Sequence, residues 1–142
     1  MSLIFVDCEA PYGVGAPSTG DMTEFGAVDF KTMQSFHGHD CSEETFEKFT
    51  AWLKSFEPPW VFVSDNPAYD WQWINFYFHK YTGANPMGFS ARRIGDFYAG
   101  LVGDFRASSK WKKLRVTVHD HNPVHDAVGN AEAFRRILNG ER

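Results

Sequence analysis

The sequence predicts one α/β domain built on a mixed five-stranded sheet, with three antiparallel strands first, parallel strands after them, and helices on both faces. Three observations carry that expectation. Short β-type runs open the chain, 3.6-period apolar stripes then alternate with further β-type runs, and no repeat or low-complexity stretch marks a second unit. At 142 residues the chain suits a single core, so residues 1–142 are read as one domain. A hydrophobic share of 43%, with 14 Phe, 5 Trp and 5 Tyr, supplies large side chains to fill that core.

LIFVDCE reads as the first strand, with Ile4, Val6 and Cys8 on one face and Phe5, Asp7 and Glu9 on the other. The glycine-proline loop Ala10 to Asp21 follows. MTEFGAVDF then reads as a second strand, and a short third ends around HGHD. From Ser42 to Phe56 the apolar stripe Phe46, Phe49, Leu53, Phe56 predicts a helix capped by Asp40 or Ser42 and stopped by Pro58-Pro59. WVFVSD reads as a buried strand. Asn66-Pro67 caps and starts a helix that Gly83 ends, and Arg93 to Val102 forms a shorter one. LRVTVH is expected to be the last strand, and Val124 to Leu138 the closing helix with Gly140 as its stop.

A formal charge of −4 argues against broad phosphate neutralisation but leaves room for a small acidic, metal-binding site. No apolar run approaches the ~18–20 residues of a membrane span, and MSLIFVDCEA lacks the layout of a signal peptide, so a cytoplasmic location without membrane attachment is expected. Cys8 and Cys41 are expected to be free thiols.

Asp7 and Glu9, two apart on a strand, project side by side and suit a divalent cation. Taken alone the pair is an ordinary acidic surface. Asp65, Asn66 and Asp70 sit where a buried strand enters a helix, a place where open sheets gather ligand groups. Asn66 is read first as a cap, and Asp70 equally as a complement to the helix dipole. In VHDAVGNAEAF, a helix starting at Pro123 would set His125 and Asn130 roughly 140° apart. With Asp126 as the N-cap instead, His125 stays in the loop and swings over the site that Asn130 faces.

Together these residues resemble the DEDDh 3′-to-5′ exonucleases of the ribonuclease-H-like superfamily. FVDCEA with TEFGAV is similar to the first motif, an acid pair followed by a strand. SDNPAYDWQWIN is similar to the second, usually H-N-A-x-F-D, with Asp70 in the acid position and Asp65 in place of the histidine. VHDAVGNAEAF is similar to the third, H-x-A-x-x-D-A, with His125 five residues before the final acid position, which holds Asn130. RRIGDFYAGL and KWKKL fall where the family carries short helical segments.

The resemblance implies hydrolysis of a phosphodiester at the 3′ end of RNA or single-stranded DNA, assisted by two Mg²⁺ or Mn²⁺ ions. It implies Asp7, Glu9, Asp70 and the position of Asn130 as metal ligands, and His125 as the general base. An amide at 130 removes one negative charge from the site. Three explanations are open: an engineered inactivating substitution, a natural variant with weaker metal binding, and a nuclease fold kept only to bind nucleic acid. A homodimer is the assembly that the family suggests.

Ala10, Tyr12, Asn66, Trp111 and Lys112 are candidate substrate contacts, Trp111 among its lysines resembling a stacking platform beside phosphate-binding charges. The bland reading of Trp111 is a core residue under a basic turn. Arg92 and Arg93 read as surface charges. A zinc site is the rival metal reading, because His37, His39 and Cys41 alternate and His119, His121 and His125 crowd a second stretch, though neither has a zinc-finger spacing.

Overall fold

A computed structural model describes all residues from Met1 to Arg142. Five strands form one sheet: β1 (Ser2–Glu9), β2 (Glu24–Asp29), β3 (Ser35–Gly38), β4 (Trp60–Ser64) and β5 (Ala91–Arg93), in the spatial order β3-β2-β1-β4-β5. The first three are antiparallel neighbours, while β1–β4 and β4–β5 are parallel. Helices α1 (Glu43–Leu53), α2 (Pro67–Thr82), α3 (Ile94–Val102) and α4 (Pro123–Leu138) complete the domain, with two short 3-10 turns before α4. This is the mixed α/β architecture that the periodicities predict.

The period-2 pattern of β1 sorts its side chains into two cores. Ile4, Val6 and Cys8 pack with Phe25, Phe46, Phe49, Trp73 and Tyr77 beneath α1 and α2. Phe5 packs on the other face with Val28, Val63, Tyr98, Trp111, Ala127 and Ala131 beneath α3 and α4. Asp7 and Glu9 follow Phe5 on that second face, so they end the strand beside α4.

Two local expectations change. The helix expected to reach Phe56 ends at Leu53, capped at its start by the Ser42 hydroxyl, which accepts from the Thr45 N–H at 3.3 Å. LRVTVH is not a strand; β5 is Ala91–Arg93, in parallel register with Phe62, Val63 and Ser64. The alternation in LRVTVH is nevertheless real, because the segment lies along α4. Both Nε and Nη2 of Arg115 donate to Asn130 Oδ1, the Thr117 N–H and hydroxyl donate to the Glu132 carboxylate, and His119 Nδ1 lies 2.9 Å from Asp126 Oδ1. Every second side chain reaches the helix, while Val116 and Val118 face solvent. A helix surface satisfies the period-2 pattern here in place of a neighbouring strand.

Candidate active site

The carboxylates of Asp7, Glu9 and Asp126 offer oxygens that all lie within 4.8 Å of one another. Asp126 reaches them because α4 starts at Pro123. Asn122 is its N-cap, with Oδ1 accepting from the N–H groups of Val124 and His125 at 3.0 and 3.4 Å, and Pro123 occupies the first helical position. Asp126 is therefore a first-turn acid, buried and close to the positive end of the helix dipole, and not the cap. Gly26, opposite Asp7 in the β1–β2 register, lets the start of α4 come down onto the sheet, since a Cβ there would lie 2.4 Å from the Pro123 carbonyl carbon.

Asp70 approaches from the other side. It sits in the first turn of α2, and its Oδ1 accepts the Cys8 N–H at 2.9 Å, which ties that turn to β1 between the two strand acids. Burial raises its carboxyl to about 7, against the opposing pull of that hydrogen bond. Asp7 is pushed up to about 10, first by burial and then by the charges of Asp70, Asp126 and Glu9. Burial also raises Glu9, against its hydrogen bond with Asp7 and the neighbouring histidines.

The histidines divide by position. His121 lies in the loop before α4, exposed, at φ 63°, with Nδ1 4.0 Å from Glu9 Oε1. His119 is held on Asp126, and His125 points away, its Nδ1 2.8 Å from Asp120 Oδ2. The His125 contact holds the Asp120 carboxyl below its usual range. His125 thus lies within α4, outside the carboxylate cluster, contrary to its expected place in the loop.

Asn130 is likewise not brought to the cluster. It lies four residues beyond Asp126, on the same helix face but about 6 Å further along the axis, and its amide oxygen serves Arg115. His121 and Asp126 have the same five-residue separation as His125 and Asn130, with an acid at its end. The signal was present in the sequence, since Asn122-Pro123 is a stronger helix start than His125-Asp126 and the D-A pair belongs to Asp126.

Among the expected substrate contacts, Trp111 is 0% exposed and packs in the second core with Arg115 stacked on it, so it offers no face to a base. Lys112 pairs with Asp65 at 2.7 Å. Asn66 is exposed at the N-cap of α2, with no side-chain capping bond. Ala10 packs against the first core, and Tyr12 stands fully exposed on the loop after Glu9.

The donor set fits a hard divalent cation. Asp7 Oδ2 and Asp126 Oδ2 are buried with no hydrogen-bond partner, an expensive arrangement that a cation would relieve. An all-carboxylate cluster suits Mg²⁺ or Mn²⁺ better than zinc.

Comparison with solved structures gives the nuclease domain of 3′hExo, described as a DEDDh family member bound to rAMP. It matches with a TM-score of 0.66 at 13% identity, over 98% of this chain and 92% of that one. The chain has the DEDDh nuclease fold. Among curated proteins, the 3′-5′ DNA exonuclease Cap18 of Escherichia coli is 35% identical over 103 residues, 63% of this chain and 52% of that protein. The chain thus spans about half the length of this relative. No protein-family model matches it. The resemblance to DEDDh exonucleases seen in the motifs agrees with both similarities, and no helix of the chain is long and apolar enough to cross a membrane.

Proposed function

We propose that this DEDDh-type domain is a metal-dependent 3′-to-5′ exonuclease whose four acids are Asp7, Glu9, Asp70 and Asp126. The observation that carries the proposal is the meeting of Asp7, Glu9 and Asp126 within 4.8 Å, with Asp70 bonded to the β1 backbone beside them. Asp7, Glu9 and Asp126 would hold one cation, and Asp70 with Asp7 a second. Bound Mg²⁺ or Mn²⁺ ions supply the positive charge that lowers the pKa of water and neutralises the developing charge on the leaving oxygen.

His121 takes the proton from the attacking water. Its loop position beside Glu9 lets the imidazole reach the reacting phosphate, and histidine is the side chain most often used as a general base. His119, on Asp126, positions that acid and the loop. Tyr12, exposed on the loop after Glu9, and Asn66, exposed at the N-cap of α2 that carries Asp70, are the candidates to meet the terminal nucleotide. The description of the Cap18 relative as a DNA exonuclease favours a DNA 3′ end over RNA.

The test is digestion of 5′-labelled single-stranded DNA and RNA with Mn²⁺, comparing the unaltered chain with Asp126→Asn. Stepwise shortening from the 3′ end by the unaltered chain alone is expected. Equal shortening by both proteins, or none by either, defeats the assignment.

A further inference from the structure

A second set of metal-ligating groups lies outside the carboxylate site. Glu24 opens β2, His37 lies on β3, and His39 follows it one residue past the strand end; their ligand atoms all fall within 4.8 Å of one another. The sequence alone groups His37 and His39 with Cys41, but the third ligand atom that falls within this distance belongs to Glu24, on the neighbouring strand. Residues two apart on an extended chain share a face, so His37 and His39 project together, and their rings stack with centroids 3.9 Å apart. His37 Nε2 lies 2.6 Å from Glu24 Oε2.

A histidine–glutamate ion pair accounts for one imidazole. It does not account for the second ring, which the strand brings to the same place with a further nitrogen. Two imidazoles and one carboxylate form the donor set of three-ligand zinc sites, with a remaining position for water. The approach is open, because β3 is the outermost strand on its side of the sheet and His39 is exposed. This chemistry differs from that of the all-oxygen cluster: nitrogen donors select the zinc, cobalt and nickel class, which Mg²⁺ does not displace.

We infer that Glu24, His37 and His39 form a binding site for one borderline divalent cation of the Zn²⁺ class, separate from the hydrolytic cluster. Glu24 is the register partner of Glu9, so the site stands one strand from the hydrolytic acids and pins the edge strand β3 to β2. Unoccupied strand edges invite pairing with other chains, and a bound cation would fix this one. The inference does not depend on the nuclease reading.

The test uses the full chain stripped by chelator, then titrated with Co²⁺ in excess Mg²⁺, following the visible absorption of the cobalt and its loss on adding Zn²⁺. One saturable Co²⁺ site is expected. His39→Ala and Glu24→Gln should each weaken it about tenfold or more, a change of ~1.4 kcal/mol per decade. Asp7→Asn and His119→Ala should leave it within about twofold. Circular dichroism of each variant checks that it remains folded, and Glu24→Gln preserves shape if a histidine variant does not. Absence of saturable binding overturns the inference. So does binding lost in His119→Ala but kept in His39→Ala, which would assign the cation to the His119, His121 and Asp126 group.

Discussion

Gly26 and Pro123 meet backbone to backbone: a Cβ on Gly26 would stand 2.4 Å from the Pro123 carbonyl carbon and 2.5 Å from its oxygen. Neither neighbour is a flexible side-chain tip, so any larger residue at 26 must lift the first turn of α4 from β2. That turn carries Asp126. Gly26→Val is expected to destabilise the fold by about 1–3 kcal/mol, the usual cost of overpacking, and to abolish exonuclease activity even where the protein remains folded. Urea unfolding gives the first quantity and 3′-end digestion the second. Full activity in the variant would mean that the helix start can shift without disturbing the acids.

The two candidates for the fourth acid position separate cleanly. Asp126→Asn should remove activity, because it takes a negative charge from a cluster that must hold divalent cations, while Asn130→Asp should leave activity within a few-fold. Asn130→Ala acts on stability instead, removing the amide oxygen that accepts from both Nε and Nη2 of Arg115, at a cost of about 1–3 kcal/mol. A gain of activity in Asn130→Asp would restore the reading in which an amide replaces a catalytic acid.

Much of this was legible in the sequence, and the misreadings have separate physical causes. The alternation in β1 separated Ile4, Val6 and Cys8 from Phe5, Asp7 and Glu9, and the two cores divide along that line. Asn66-Pro67 and Gly83 located both ends of α2. In HDHNPVHDAVGN, however, histidines four apart let a five-residue histidine-to-acid template match twice, and capping chemistry had to choose between the matches. Asn122-Pro123 makes that choice, because a proline without an N–H is suited to the first helical position. Trp111 was ambiguous for a different reason. Its lysine neighbours are the same whether the ring faces solvent or core, and only packing beneath α3 and α4 decides.

The histidines allow a test by position. His121→Ala should lower kcat by about 10²- to 10⁴-fold, the usual worth of a general base. His125→Ala should change kcat little, since that ring is engaged by Asp120 at 2.8 Å. If His119→Ala lowers kcat by that factor and His121→Ala does not, the base is His119, acting from its contact with Asp126.

Asp7 couples pH, metal and stability. Its pKa rises from 3.8 to about 10 on folding, through burial first and neighbouring carboxylates second. Between those values the folded chain holds a proton that the unfolded chain has released, so raising the pH withdraws stability. This contribution is full below about pH 4 and is lost progressively toward pH 10. The metal-free protein should therefore show a falling Tm from pH 6 to 9, with Asp7→Asn flattening the slope and raising Tm at the alkaline end. A divalent cation takes the place of the bound protons, so Mn²⁺ should raise Tm more at pH 8.5 than at pH 6, and the rise should be strongly reduced in Asp7→Asn. Thermal unfolding with and without chelator measures each of these. A Tm difference between Asp7→Asn and the unaltered chain that does not change with pH would show that the carboxylate at position 7 is not held protonated by the fold.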